Sequence, residues 1–310
     1  MCKELIITSI HFMKKYNYKT IPDLLLDKEW QIKTNIIETN FKNVRDKICN
    51  TFESLEKEFS SQKNFKINKF KKKTWYRDKK NNEYGGGVSS ILKGNLFEKV
   101  GVNISSVSGQ FPNDFKDKIK GAANDPRFFA TGISVVAHMF SPFIPAAHFN
   151  SRFIVTKDAW FGGGCDLTPT YDEKKIKNQF HKSLKTFCDK YDKNYYNKFS
   201  KWCSEYFFIK HRNEERGIGG IFFDYLDAKN EKNFNITMET GNFFCSFCKD
   251  MIKKYQYKAC SSKHREKLFY KRSKYVEFNL LYDKGTTFGL KTNGNVDAIL
   301  MSMPPLASWN

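Results

Sequence analysis

Apolar residues recur along the chain with two periods, and each period predicts a different element. Phe41, Val44, Ile48, Phe52, Leu55 and Phe59 fall three or four residues apart, the spacing of one helix face. The ordered domain is expected to start there, so 39–310 reads as a single domain and 1–38 as an extension of uncertain order. Segments 88–92, 98–102, 132–136 and 152–156 read as strands, the last two separated by Pro142 and Pro145, which forbid regular structure between them. A helical pattern returns over 176–209, with Trp202, Tyr206 and Ile209 on one stripe and Gly217 as the stop, and again over about 232–256. The end of the chain predicts a β-meander. Residues 275–282 alternate, Asp283-Lys284-Gly285 turns, 286–290 returns, Asn293-Gly294 turns again and 296–303 completes it. Strands joined by short hairpins, with helices in separate blocks, make this an α+β layered fold.

Composition narrows the class. With 310 residues, 40% hydrophobic and 30 of them Phe, the chain has material for a large core. Its formal charge of +20 suggests an acidic partner, but most of the excess is Lys scattered among Asn, as on a solvated surface. The one dense basic run, 66–73, with Phe65 and Phe70 interleaved, reads as an exposed connector. A nucleic-acid-binding protein using that run as its footprint is the non-enzymatic alternative, and it predicts strongly salt-dependent binding. Eight irregularly spaced cysteines indicate reduced thiols rather than a disulfide framework. Cys245, Cys248, Cys260 and His264 imitate a zinc spacing, yet Phe243, Phe244, Phe247 and Met251 recur around them at helical intervals, so buried helix cysteines are expected. The apolar stretch 5–13 is too short to span a membrane and makes a poor signal peptide. A cytoplasmic location is the simplest expectation, an organellar one the alternative.

The densest polar region runs from Ser134 through His138, His148, Asn150 and Arg152 to Asp166. Arg152 offers a planar fork for a carboxylate, Asn150 and Ser134 add neutral donors, and the histidines shuttle protons near neutral pH. Gly162-Gly163-Gly164 beside Asp166 lets backbone approach a ligand closely. Gly85-Gly86-Gly87 lacks the ending of a nucleotide-binding loop and reads as a close-packed turn. The charges from His211 to Arg216 read as a solvated or salt-bridged helix end.

Several blocks resemble one family. WFGGGCDLTPTY, HRNEERGIGGIFFDYL, YVEFNLLYDKGTTFGLKTNG and AILMSMPP are similar to signature blocks of the oxygen-dependent coproporphyrinogen III oxidases, as are GGGVSSILKGNLFEKVGVN and PAAHFNSRF. The similarity runs in order from about residue 41 to Trp309. It implies a large antiparallel β-sheet flanked by helices on both faces, a homodimer, and a reaction in which molecular oxygen turns two propionates of a reduced tetrapyrrole into vinyls with loss of carbon dioxide. No flavin, haem or nicotinamide is implied. Carried over by motif, His148 is the catalytic acid or base, with Asp166 beside the macrocycle stabilising or accepting pyrrole protons, and Arg152 completes the set. Ser134, Asn150, Arg152 and the hairpin Asn293-Gly294-Asn295 bind substrate. No metal is favoured; His138, His148, His181 and His211 match histidines assigned as ligands in bacterial relatives. A non-haem iron oxygenase with His138, His148 and Asp166 as its triad is the enzymatic alternative. The chain departs from the family at Asn295, where a guanidinium is usual, leaving Lys291 or Arg272 as substitutes, and at Tyr225 and Ser273-Lys274.

Overall fold

The computed structural model describes Tyr16 and residues 19–78, 84–291 and 295–309. Its centre is a seven-stranded antiparallel sheet in the order β1 (Lys71–Tyr76), β2 (Gly85–Leu92), β3 (Phe97–Gln110), β4 (Arg127–Met139), β5 (Ala146–Val155), β6 (Ala159–Thr168) and β9 (Gly220–Asp227). Two-residue strands β7 (Phe208–Ile209) and β8 (Glu214–Glu215) pair with each other. Helices α1 (Lys28–Gln62), α2 (Asn113–Lys116), α3 (Glu173–Cys188), α4 (Tyr195–Tyr206), α5 (Glu231–Tyr255), α6 (Ser262–Leu281), α7 (Lys284–Lys291) and α8 (Val296–Ile299) surround it.

One sheet face is covered by α1 and α5. Phe149, Phe153, Val102, Val135 and Phe161 pack from the strands into a core with Ile37, Phe41, Val44, Ile48, Phe52 and Leu55 of α1 and Phe244, Met251 and Ile252 of α5. Each such side chain removed from water contributes ~1.5–3 kcal/mol. Asp27 caps α1 by accepting from the Glu29 and Trp30 amides, and Asn64, left-handed at φ 55°, ends it. Buried Glu56 accepts from the amides of Asn95, Leu96 and Phe97, which pins the β2–β3 turn to α1. The core extends N-terminal of residue 39. Tyr16, Ile21 and Leu25 are buried in it, and Tyr16 donates to Glu38 at 2.5 Å.

The other face is covered toward β9 by α4 and α6, where Cys203, Phe207, Ile209, Phe222 and Phe278 form a smaller cluster. The C-terminal turns complete this cover: the Ser302 carbonyl meets His138, and Lys99 donates to the Met303 carbonyl.

Three expectations need correction. The C-terminal meander is helical: Leu268, Arg272, Tyr275 and Phe278 are buried at helix spacing in α6. Asp283 is an N-terminal cap for α7, accepting from the amide and hydroxyl of Thr286, and Asn295 caps α8 from the Ala298 amide. Asp and Asn satisfy helix starts and tight turns through the same short acceptor, so the turn signals admitted both readings. The 176–209 helix is two helices broken between Cys188 and Tyr195, with Ile209 in β7. Gly85-Gly86-Gly87 lies within β2 rather than a turn, and the basic run 66–73 feeds edge strand β1, whose Lys72 pairs with Asp46 at 3.8 Å. The cysteines of the zinc-like spacing do lie on a helix: Cys245 and Cys248 are buried in α5, whereas His264 bonds the Ser261 amide at the start of α6.

Candidate active site

Strand β5 alternates strictly. Its odd-numbered residues are buried against the helical core, while Ala146, His148, Asn150, Arg152 and Ile154 face the opposite side. Cross-strand register turns that alternation into rows. His148 stands opposite Asp166, which stands opposite Gly220; Ser134 stands opposite Asn150, which stands opposite Gly164; Gly132 stands opposite Arg152, which stands opposite Gly162. Ser134, His148, Asn150, Arg152 and Asp166 therefore share one face. Gly162 supplies the space that Arg152 needs: a Cβ there would lie 2.6 Å from Arg152 Nε and 2.5 Å from Asp224 Oδ1.

These side chains form a continuous hydrogen-bonded ladder. Arg152 Nη2 donates to Asp224 Oδ2 at 2.7 Å, and its Nη1 donates to Asn150 Oδ1 at 3.2 Å. Asn150 Nδ2 lies 3.3 Å from His148 Nε2, and His148 Nδ1 lies 2.6 Å from Asp166 Oδ2. Asp166 Oδ1 accepts from Arg216 Nη2, and Arg216 Nη1 donates to Asn279 Oδ1 at 2.9 Å. Because the carboxylate can only accept, His148 carries its proton on Nδ1, and Nε2 is left as the acceptor toward Asn150.

Electrostatics follows from burial and pairing. Burial alone would push the Asp166 carboxyl up, but the Arg216 guanidinium, then His148, more than offset this and hold it below the ordinary carboxylate range. Burial lowers Arg152 and Arg216, and Asp224 and Asp166 respectively outweigh it, so both remain cations. Arg216 is further sandwiched by Phe207, Tyr275 and Phe278, with its guanidinium carbon 4.0 to 5.1 Å from the ring centroids. Each Asp166 oxygen already accepts one bond and the residue is 4% exposed, so little of the carboxylate is open to an outside donor.

The other expected residues lie elsewhere. His138 is buried on β4, with Nε2 2.9 Å from the Ser302 carbonyl and its ring edge-on to Tyr275. Burial, then Arg272, pulls it down to about 3, so it is neutral. His181 is held by the Ile218 carbonyl and Tyr196, and exposed His211 by Glu277 and Tyr282. The four histidines spend their rings on separate partners, and among the described residues no three His, Cys, Asp or Glu groups converge as a metal site. The His138–His148–Asp166 triad does not form either. These residues do not fit a bound metal. Asn293 and Gly294 lie outside the described residues, and Asn295 caps α8. Arg272 is no substitute for a missing substrate cation: it is buried, paired with Glu98 at 2.8 Å and bonded to the Met139 carbonyl. Lys291 is exposed at the end of α7.

Sequence reasoning missed Arg216 and Asp224. Nothing local separates Arg216 from Arg212, which lies at the surface against Glu277; only the packing of α6 over β6 buries one of them. Asp224 had a usable signal, since β9 places Gly220, Phe222 and Asp224 on alternate positions, the face of Asp166.

The fold is α+β, and one face of its sheet carries an imidazole–carboxylate pair between two guanidinium groups. The chain belongs to the coproporphyrinogen III oxidase family, whose model matches residues 36–310. Relatives named oxygen-dependent coproporphyrinogen-III oxidase, from Rickettsia bellii (strain OSU 85-389) and Rickettsia africae (strain ESF-5), are each 50% identical to it. The first alignment covers 87% of this chain and 95% of the relative, the second 87% and 96%.

Proposed function

We propose that this chain is an oxygen-dependent coproporphyrinogen III oxidase, converting two propionates of coproporphyrinogen III to vinyls and yielding protoporphyrinogen IX in haem biosynthesis. The observation that carries this reading is the ladder from Asp224 through Arg152, Asn150 and His148 to Asp166 and Arg216, in a chain half identical to relatives of that name. Each propionate becomes a vinyl by releasing carbon dioxide together with one proton and two electrons. Dioxygen takes the two electrons and, with that proton and one more from solvent, leaves as hydrogen peroxide, so the protein must orient the ring, relay the proton and stabilise charge.

His148 is the proton acceptor, because its Nε2 is the open end of a ring whose other nitrogen is fixed by Asp166. Its weak 3.3 Å contact with Asn150 yields to a better donor. Asp166 then counters the imidazolium charge, and Arg216 keeps Asp166 ionised throughout. Arg152, with Asn150 and Ser134, receives a substrate carboxylate through the donors that Asp224 leaves free. Dioxygen is the sole co-reactant of this reading, and no step passes through a metal.

A homodimer would cover apolar side chains that the C-terminal part of the chain leaves to solvent, where Leu280, Leu281, Val296, Leu306 and Trp309 are each more than half exposed. No described helix is long and apolar enough to cross a membrane. The proposed placement is cytoplasmic, with a single catalytic domain that includes Ile21, Leu25 and the whole of α1. Purified protein incubated with coproporphyrinogen III should release carbon dioxide in air and none under argon, and a chelator should leave the rate unchanged. Release without oxygen, or none in either atmosphere, refutes the assignment, and loss of activity with chelator restores the iron alternative.

A further inference from the structure

The sheet face that holds His148 and Asn150 does not stop at β4. The row through Asn150 and Ser134 continues to Asn103 on β3, Ser89 on β2 and Lys73 on β1. Adjacent strands lie about 5 Å apart, so Asn103 stands one strand beyond Ser134 and two beyond Asn150. The next row places Trp75, Gly87, Ser105 and Gly132 in line with Arg152. Trp75 is half-buried, and its indole lies over Gly87: a Cβ at that glycine would be 2.6 Å from Cζ2 and 2.7 Å from Cε2 of the ring. The indole covers the backbone of β2.

The bonds of Asn103 fix which way its amide points. Its Oδ1 accepts from Trp75 Nε1 at 3.1 Å and from Ser89 Oγ at 3.0 Å. An indole N–H can only donate, so the amide oxygen must face Trp75 and the NH2 group must face away from it. Among the described residues that NH2 group has no hydrogen-bond partner. Lys73, at the end of the row, lies on the β1 side from which Trp75 donates and pairs with exposed Asp297 at 3.7 Å, so it is no partner for that NH2 group. This part of the face thus carries an oriented neutral donor, backed by a flat indole, next to the Ser134 hydroxyl on the neighbouring strand.

We infer that Asn103, oriented by Trp75 and Ser89 with its NH2 group toward β4, forms with the Ser134 hydroxyl a subsite that holds a propionate of the macrocycle. Resting on the reading given under Proposed function, this deepens it: Asn103 adds a donor on β3 to those that Ser134, Asn150 and Arg152 offer on β4 and β5. It sets which propionate is presented to His148 and touches none of the reacting atoms.

Asn103→Asp keeps an acceptor for Trp75 and Ser89 and replaces the donor by a negative charge, so the fold has no reason to change. For this variant KM for coproporphyrinogen III should rise about tenfold or more with kcat within about twofold, the size of one charge-assisted bond lost. Trp75→Phe retains the ring but frees the amide to rotate, and should raise KM by a smaller factor. A binding measurement separates recognition from folding: fluorescence quenching by oxidised coproporphyrin should weaken in Asn103→Asp, while quenching by its uncharged tetramethyl ester should not. Unchanged KM and unchanged tetra-acid binding in Asn103→Asp overturn the subsite, as does an equal loss of acid and ester binding. A wild-type protein that neither binds the tetra-acid nor releases carbon dioxide would instead refute the enzymatic assignment.

Discussion

The two faces of β5 differ by one residue of register and by nearly everything else. Ala147, Phe149, Ser151, Phe153 and Val155 are buried beneath α1 and α5, where size and shape decide whether a residue fits. His148, Asn150 and Arg152 look the other way onto Ser134, Asp166 and three glycines, where donors, acceptors and open space decide. The contrast teaches that a strand can be held in place entirely by one face and leave the other to chemistry. It is incomplete at Asp166, whose carboxylate serves the site and also neutralises a buried guanidinium.

That exception gives the largest expected effect. Asp166→Ala strands Arg216 among Phe207, Tyr275 and Phe278, and should cost ~3–5 kcal/mol of stability in denaturant titrations as well as abolishing turnover. A variant as stable as wild type would show that the pair is solvated. On the core face, Phe153→Ala should cost a similar ~3–5 kcal/mol, yet leave kcat per folded molecule within a small factor. His148→Ala reverses the pattern, with kcat falling ~10²–10⁴-fold while the unfolding midpoint moves little. Equal losses of stability in these two variants would erase the distinction between the faces.

A smaller effect is read by pH. His138 titrates at about 3 when folded against 6.5 ordinarily, so between these values the unfolded chain binds the extra proton. Its contribution is therefore fully present above 6.5 and is lost as pH falls toward 3, by at most ~1.4 kcal/mol per pH unit. Stability measured at pH 7 and pH 5 should differ accordingly, and His138→Phe should flatten that dependence. Asp166 adds in the same direction at lower pH, because its depressed folded value makes stability present above the ordinary carboxylate range and lost below it. The smallest expected change is at the surface: Lys185→Ala removes a 2.7 Å pair with Asp189 from a Lys that is half exposed, and should shift stability by less than ~0.5 kcal/mol.

The sequence by itself determined the parts governed by local spacing. The stripe from Phe41 to Phe59 placed α1 and the apolar run at 152–156 marked part of β5, because side-chain direction follows from backbone geometry, but His148 and Asn150 fell outside the strand that the sequence indicated. Only the tertiary structure decided that Asp166 meets His148, that Arg216 rather than Arg212 is buried, and that 275–303 is helical rather than a meander. Strand register and the packing of α6 over the site fix these, and both depend on contacts between residues dozens of positions apart. Asp283 and Asn295 mark the limit well, since a short polar acceptor serves a helix start as readily as a turn, and the packing of the whole chain selects between them.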